Sequence, residues 1–147
     1  MTITAVRVRG NAKLRKTIEA TMQMMNLKAV NNVATLTDNK VTEGMLQKAK
    51  DYVTWGTITK DTFTKMLLKW AKTVDNAKVT EGFLKEQNTS VDELYEGKKK
   101  FKDANIKATI RLHPPRKGYE GVKRPYSMKG ALGNRKDKLD ELVQRMI

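Results

Sequence analysis

TITAVRVRG, residues 2–10, alternates strictly: Thr2, Thr4, Val6 and Val8 point one way, and Ile3, Ala5, Arg7 and Arg9 the other. A period of two is the signature of a β-strand, and the β-branched set marks a face suited to a core. Gly10 ends the strand. Asn11 then offers an N-cap for a helix over 12–25, on which Leu14, Ile18, Met22 and Met25 form one apolar stripe. A second strand is predicted over 29–36 (AVNNVATL), followed by a short helix over 42–50 with Met45, Leu46 and Ala49 facing inward. A third strand over 52–58 (YVTWGTI) is rich in β-branched and aromatic residues. The order β-α-β-α-β predicts an α+β fold of two layers, with the helices on one face of the sheet and the other face open to a partner. Arg7 and Arg9 would emerge on that open face beside Ile3 and Ala5.

Past residue 58 the pattern turns helical. KDTFTKMLLKWAKT, from Lys60, sets Phe63, Met66, Leu67 and Trp70 on one side, and Ser90 with Glu93 forms a capping box ahead of VDELYEG. VTEGML at 41 recurs as VTEGFL at 79, but the segments between do not correspond, so no repeat is present. Residues 107–112 (KATIRL) alternate again as a strand. Asn134 would cap a closing helix whose Leu139, Leu142, Val143 and Met146 make an i, i+3, i+4, i+7 stripe. The expected organisation is a core over 1–58, a helical insert over 59–106, and a strand, basic loop and C-terminal helix over 107–147.

Between that last strand and helix lies RLHPPRKGYEGVKRPYSMKGALGNR, residues 111–135, with seven Lys or Arg, one acidic residue and all three prolines. Proline fixes φ and glycine allows φ > 0, so the segment reads as an irregular basic loop of defined shape. So much like charge resists burial and calls for a polyanionic partner. The whole chain carries a net charge of +14 over 147 residues. Residues 1–30 hold +5 of it and 107–135 hold +7, while 31–106 are nearly balanced. All eight arginines lie outside 31–106. Guanidinium is the planar fork that suits phosphates and base edges.

These features exclude several function classes. No apolar run approaches the length of a transmembrane helix, and the N-terminus lacks the apolar core of a secretory signal, so a cytosolic protein without a membrane role is expected. With no cysteine and one histidine, no metal or other cofactor is expected. Catalysis has little material, because His113 stands in a basic loop with no carboxylate close before it. GALGNR at 130–135 lacks the spacing of a phosphate-binding P-loop and reads as a turn. Within the basic loop, Tyr119 and Tyr126 lie among Arg116, Lys117, Lys123 and Arg124, which gives rings to stack on unpaired bases beside charges for phosphates. Trp55 and Trp70 sit in apolar patterns and belong to the core.

Three strings now coincide: RVRG at 7–10, GMLQKAKDYVTWG at 44–56, and RLHPPRKGYEGVKRPY at 111–126 with GALGNR at 130–135. Together they closely resemble the archaeal long form of the large-subunit ribosomal protein thirty family, related to eukaryotic large-subunit protein seven. The likeness spans essentially the whole chain. It implies a three-stranded antiparallel sheet with the first strand central. It also implies a non-catalytic constituent of the large ribosomal subunit that binds large-subunit ribosomal RNA near the 5S RNA region, among neighbouring ribosomal proteins, with no small-molecule substrate. By motif, Arg7, Arg9, Arg111, His113, Arg116, Lys123, Arg124, Tyr126, Asn134 and Arg135 are the expected RNA contacts. Lys117 is a departure, standing where many family members carry a second glycine. The rival reading is a free cytosolic nucleic-acid-binding regulator or a chromatin-type DNA binder. That would call for a dimer seam or an Arg-rich recognition helix, and the sequence has neither.

Overall fold

A computed structural model describes residues 2–147. The opening alternation forms β1 (Thr2–Arg7), flanked on one side by β2 (Asn32–Thr37) and on the other by β3 (Val53–Gly56), both antiparallel to it. Ala5 lies opposite both Ala34 and Trp55. The first helix, α1 (Lys16–Met24), begins later than its apolar stripe suggests, because Asn11 closes a turn with Leu14 rather than capping the helix. Lys13, at φ 56°, breaks the helical path there. α2 (Lys40–Lys48) is capped by Asn39, whose side chain accepts from the Thr42 backbone N–H at 2.7 Å.

The fold is α+β, but its sheet is larger than three strands. β4 (Thr109–Arg111) adds to β2, and two strands arise inside the segment expected to be a loop: β5 (Gly121–Pro125) and β6 (Gly130–Lys136). The order across the six strands is β4-β2-β1-β3-β6-β5, with β6 parallel to β3 and β5 parallel to β6. Gly56 permits the parallel joint, since any Cβ there would collide with the Lys136 carbonyl. Asn134 therefore sits within β6 and caps no helix; the closing helix, α6 (Leu139–Met146), starts after a turn from Arg135 to Lys138.

The second face of the sheet is not open. Four successive residues of β1, Thr4 to Arg7, are buried, which requires cover on both sides. On one side Ala5, Ala34 and Trp55 pack with Met22, Met25 and Leu46 from α1 and α2. On the other, Val6 and Val33 pack beneath α3 (Lys60–Trp70), α5 (Val91–Glu96) and α6, through Phe63, Met66, Leu67, Leu94, Leu139 and Leu142. A shorter helix, α4 (Glu81–Glu86), adds Leu84 to the same core. Each fully buried side chain of this size stabilises the fold by roughly 1.5–3 kcal/mol, so the third layer supplies much of the stability. α5 carries the expected capping box between Ser90 and Glu93 and stops at Gly97, φ 77°.

Candidate nucleic-acid interface

Strand direction gathers a set of positive charges at one end of the sheet. β1 finishes at this end and β2 and β3 start there, as do the first residues of the parallel pair β5 and β6. The crossover from β1 to β2 leaves and re-enters at the same end, carrying exposed Lys13, Arg15, Lys16 and Lys28. Arg111, the last residue of β4, lies opposite Asn32 here and is exposed. His113 follows, its ring edge-on to Trp70 with centroids 4.5 Å apart. Arg116 and Lys117 are exposed in the turn beyond, tied to the end of α6 by the Arg116 N–H donating to the Arg145 carbonyl at 3.0 Å. Lys117 holds φ 66°, the left-handed conformation glycine adopts most easily. Lys123 and Arg124 project from β5, an edge strand exposed along its whole length.

The ion pairs among the described residues involve other cations, and seven of the ten lysines between 59 and 106 are unpaired as well. The ion pairs Lys60–Asp92, Lys98–Glu96, Lys99–Glu93 and Lys138–Glu141 all lie in the helical layer. Among the described residues, Arg9, Arg111, Arg116, Lys117, Lys123 and Arg124 join no ion pair, nor do the four basic residues of the β1–β2 crossover; the remaining bridges run from Arg135 and Arg145 to Glu120. Exposed cations without counter-charges repel one another and favour a phosphate backbone as partner.

Three of the expected contacts are turned toward the protein. Arg7 is 2% exposed and donates to the carbonyls of Arg9, Leu27 and Lys28 and to the Asn11 side chain, so it holds the β1–β2 crossover instead of facing a ligand. Burial draws its pKa down, opposed by the Glu19 carboxylate. Arg135 is 4% exposed; its guanidinium donates to Thr54 Oγ1 at 3.2 Å, to the Ala131 carbonyl at 3.2 Å and to Glu120 at 2.7 Å. Tyr119 turns inward, its hydroxyl donating to Asn31 Oδ1 at 2.7 Å. Burial pushes its pKa up, against the pull of the Arg135 and Arg145 charges. Of the other expected residues, Arg9 reaches the Asp51 carbonyl and lies 5.1 Å from the Tyr52 ring centroid, while Tyr126 has one face covered by Arg135 at 4.8 Å. Asn134 is exposed on β6.

Glu120 is the residue that sequence reasoning missed, and being the one acid in the basic segment was its signal. It receives Arg135 on one oxygen and Arg145 on the other, at 2.7 and 2.9 Å, locking the segment between β6 and α6. Burial would raise its pKa, but hydrogen bonds from both arginines and from the backbone, with the charge of Arg135, outweigh it and hold the carboxyl below the usual range. The arrangement offers a rigid cationic surface. Among the described residues, no His, Asp and Glu cluster could hold a metal ion, and no helix is long and apolar enough to cross a membrane.

Residues 3–53 match the family model for ribosomal protein L30p/L7e. The chain is 44% identical, over the full length of both, to large ribosomal subunit protein uL30 of Methanococcus maripaludis (strain C5 / ATCC BAA-1333). It is 36% identical to the protein of the same name from Methanosphaera stadtmanae, with 97% of each chain covered, and 38% identical to that of Nanoarchaeum equitans, with 96% covered. The chain belongs to the uL30 family of ribosomal proteins. This is a structural, non-enzymatic family, and the archaeal long form named from sequence is the form its relatives take. The family model stops at residue 53, so the third layer and the β5–β6 pair lie beyond it.

Proposed function

We propose that this chain is a structural constituent of the large ribosomal subunit and that it binds large-subunit ribosomal RNA with the basic end of its sheet. The observation that carries the reading is the placement of charge: residues 107–135 hold +7 and present Arg111, Arg116, Lys117, Lys123 and Arg124 exposed and without an ion pair, while 31–106 are nearly balanced. In this reading Arg9, Arg111, Arg116, Lys117, Lys123 and Arg124 meet phosphates, and His113, Tyr126 and Asn134 lie among them. Arg7, Tyr119 and Arg135 act from inside, by holding the loops that carry the contacts. The helical segment 59–106 turns its balanced surface to solvent or to neighbouring ribosomal proteins. The family resemblance supports a position near the 5S RNA.

Sedimentation tests the assembly directly. The native protein is expected to travel with large ribosomal subunits in magnesium; recovery only among free proteins would overturn the reading. A free regulator or DNA binder would show the latter pattern, and no observation favours it.

A further inference from the structure

Building on the RNA-binding reading above, we propose that the cleft beside Trp55 receives a single unpaired nucleotide of the bound RNA. The layer of α1 and α2 packs on β2, β1 and β3 only, so β6 and β5 run on past α2 as a ledge. The step between them forms a cleft of 320 Å³, walled by Gln47 and Lys50 on one side and by Lys123, Pro125 and Asn134 on the other, with Trp55 lining it. A single base fits such a space and a duplex does not.

Trp55 is the member that points to a ligand. It is 6% exposed, as a core residue should be. Its indole N–H nevertheless finds no acceptor among the described residues, and the only side-chain polar atom both sealed from solvent and unpaired is Thr35 Oγ1, so the Trp55 donor opens to the outside. Trp70, by contrast, donates its N–H to the Ile147 carbonyl at 3.3 Å. A donor open at a cleft is met by water in the free protein, and an acceptor on a ligand can take that water's place. Indole donates only, while the amides of Gln47 and Asn134 both donate and accept, a combination that can read the edge of a base. Lys50 and Lys123 stand on the rim for the flanking phosphates and outnumber the one carboxylate there, Asp51. A base held in a helix hides its pairing edge, whereas a bulged one presents it.

The test uses the full chain with Trp70→Phe, which leaves Trp55 as the sole indole reporter. The probes are a hairpin RNA with one bulged nucleotide and the same hairpin fully paired. The bulged hairpin is expected to quench and shift Trp55 emission and to bind about fivefold tighter than its paired twin. Trp55→Phe keeps an aromatic ring and deletes the donor, and Gln47→Ala changes an exposed position; each should erase the preference while both hairpins still bind. Unmoved Trp55 emission at saturating bulged hairpin, or equal affinities, would overturn the cleft assignment and leave the RNA-binding reading standing. Binding of neither hairpin would overturn both.

Discussion

Arginines in this chain divide into two kinds that look alike in sequence. Arg135 and Arg124 both belong to the Arg-rich tail, yet one is buried against Thr54, Ala131 and Glu120 while the other is exposed on an edge strand. Removing a buried, multiply bonded charge leaves its partners unsatisfied, so Arg135→Met should lower the unfolding free energy by about 2 kcal/mol in urea denaturation. Arg124→Ala should change it by less than about 0.5 kcal/mol. Their effects on RNA should reverse. Arg124→Ala is expected to lower the slope of log affinity against log salt by nearly one, and a pure positioning residue such as Arg135 should not alter the number of phosphates neutralised. Glu120 adds a pH signature. Its folded pKa is depressed, so its contribution to stability is full above the unfolded glutamate value of about 4.3 and is lost as pH falls through the lower folded value. Glu120→Gln should therefore flatten part of the wild-type loss of stability below about pH 4, measured by urea midpoints across pH. None of this burial was legible from residue type. Whether an arginine goes inside depends on acceptors that the fold brings from afar, here the Leu27 and Lys28 carbonyls for Arg7 and Thr54 for Arg135.

At the scale of elements, what is periodic could be read and what is not could not. β1, α2, β3 and α6 follow their apolar patterns to within a few residues, because each buries one repeating set of side chains. The covered second face had a signal too, since apolar residues occupy both faces of β1 at Ala5 and Val6. β5 and β6 offered none. GVKRP is exposed along its whole length, and GALGNRK joins β3 through a parallel pairing whose partner lies far back in the chain. Their glycines also suggest a loop until the packing is seen. Gly130 is required by contact, because a Cβ there would run into the Arg124 backbone. Gly130→Ala should thus push β5 off β6, costing about 1–3 kcal/mol of stability. It should also weaken RNA binding although no charge has changed. The same urea and filter-binding measurements decide this: full RNA affinity in a folded Gly130→Ala protein would show that β5 need not be held on the sheet.

For the molecule as a whole, the question is whether net charge or its placement does the binding. A protein of net charge +14 will associate with any polyanion to some degree. Placement can be isolated by two variants that each remove four positive charges. One changes Arg111, Arg116, Lys123 and Arg124 to Ala, all exposed and unpaired at the basic end or along β5. The other changes Lys60, Lys98, Lys99 and Lys138, all of them ion-paired elsewhere. If long-range attraction alone held the RNA, the two would weaken binding alike, since each lowers the total by the same amount. Direct phosphate contact predicts otherwise. Each lost contact removes roughly 0.7–0.9 from the salt slope, so the first variant should lose about three in slope and the second almost nothing. Ribosomal RNA titrated by filter binding across a range of salt supplies both slopes, and equal slopes would dissolve the assignment of the basic end as the docking surface.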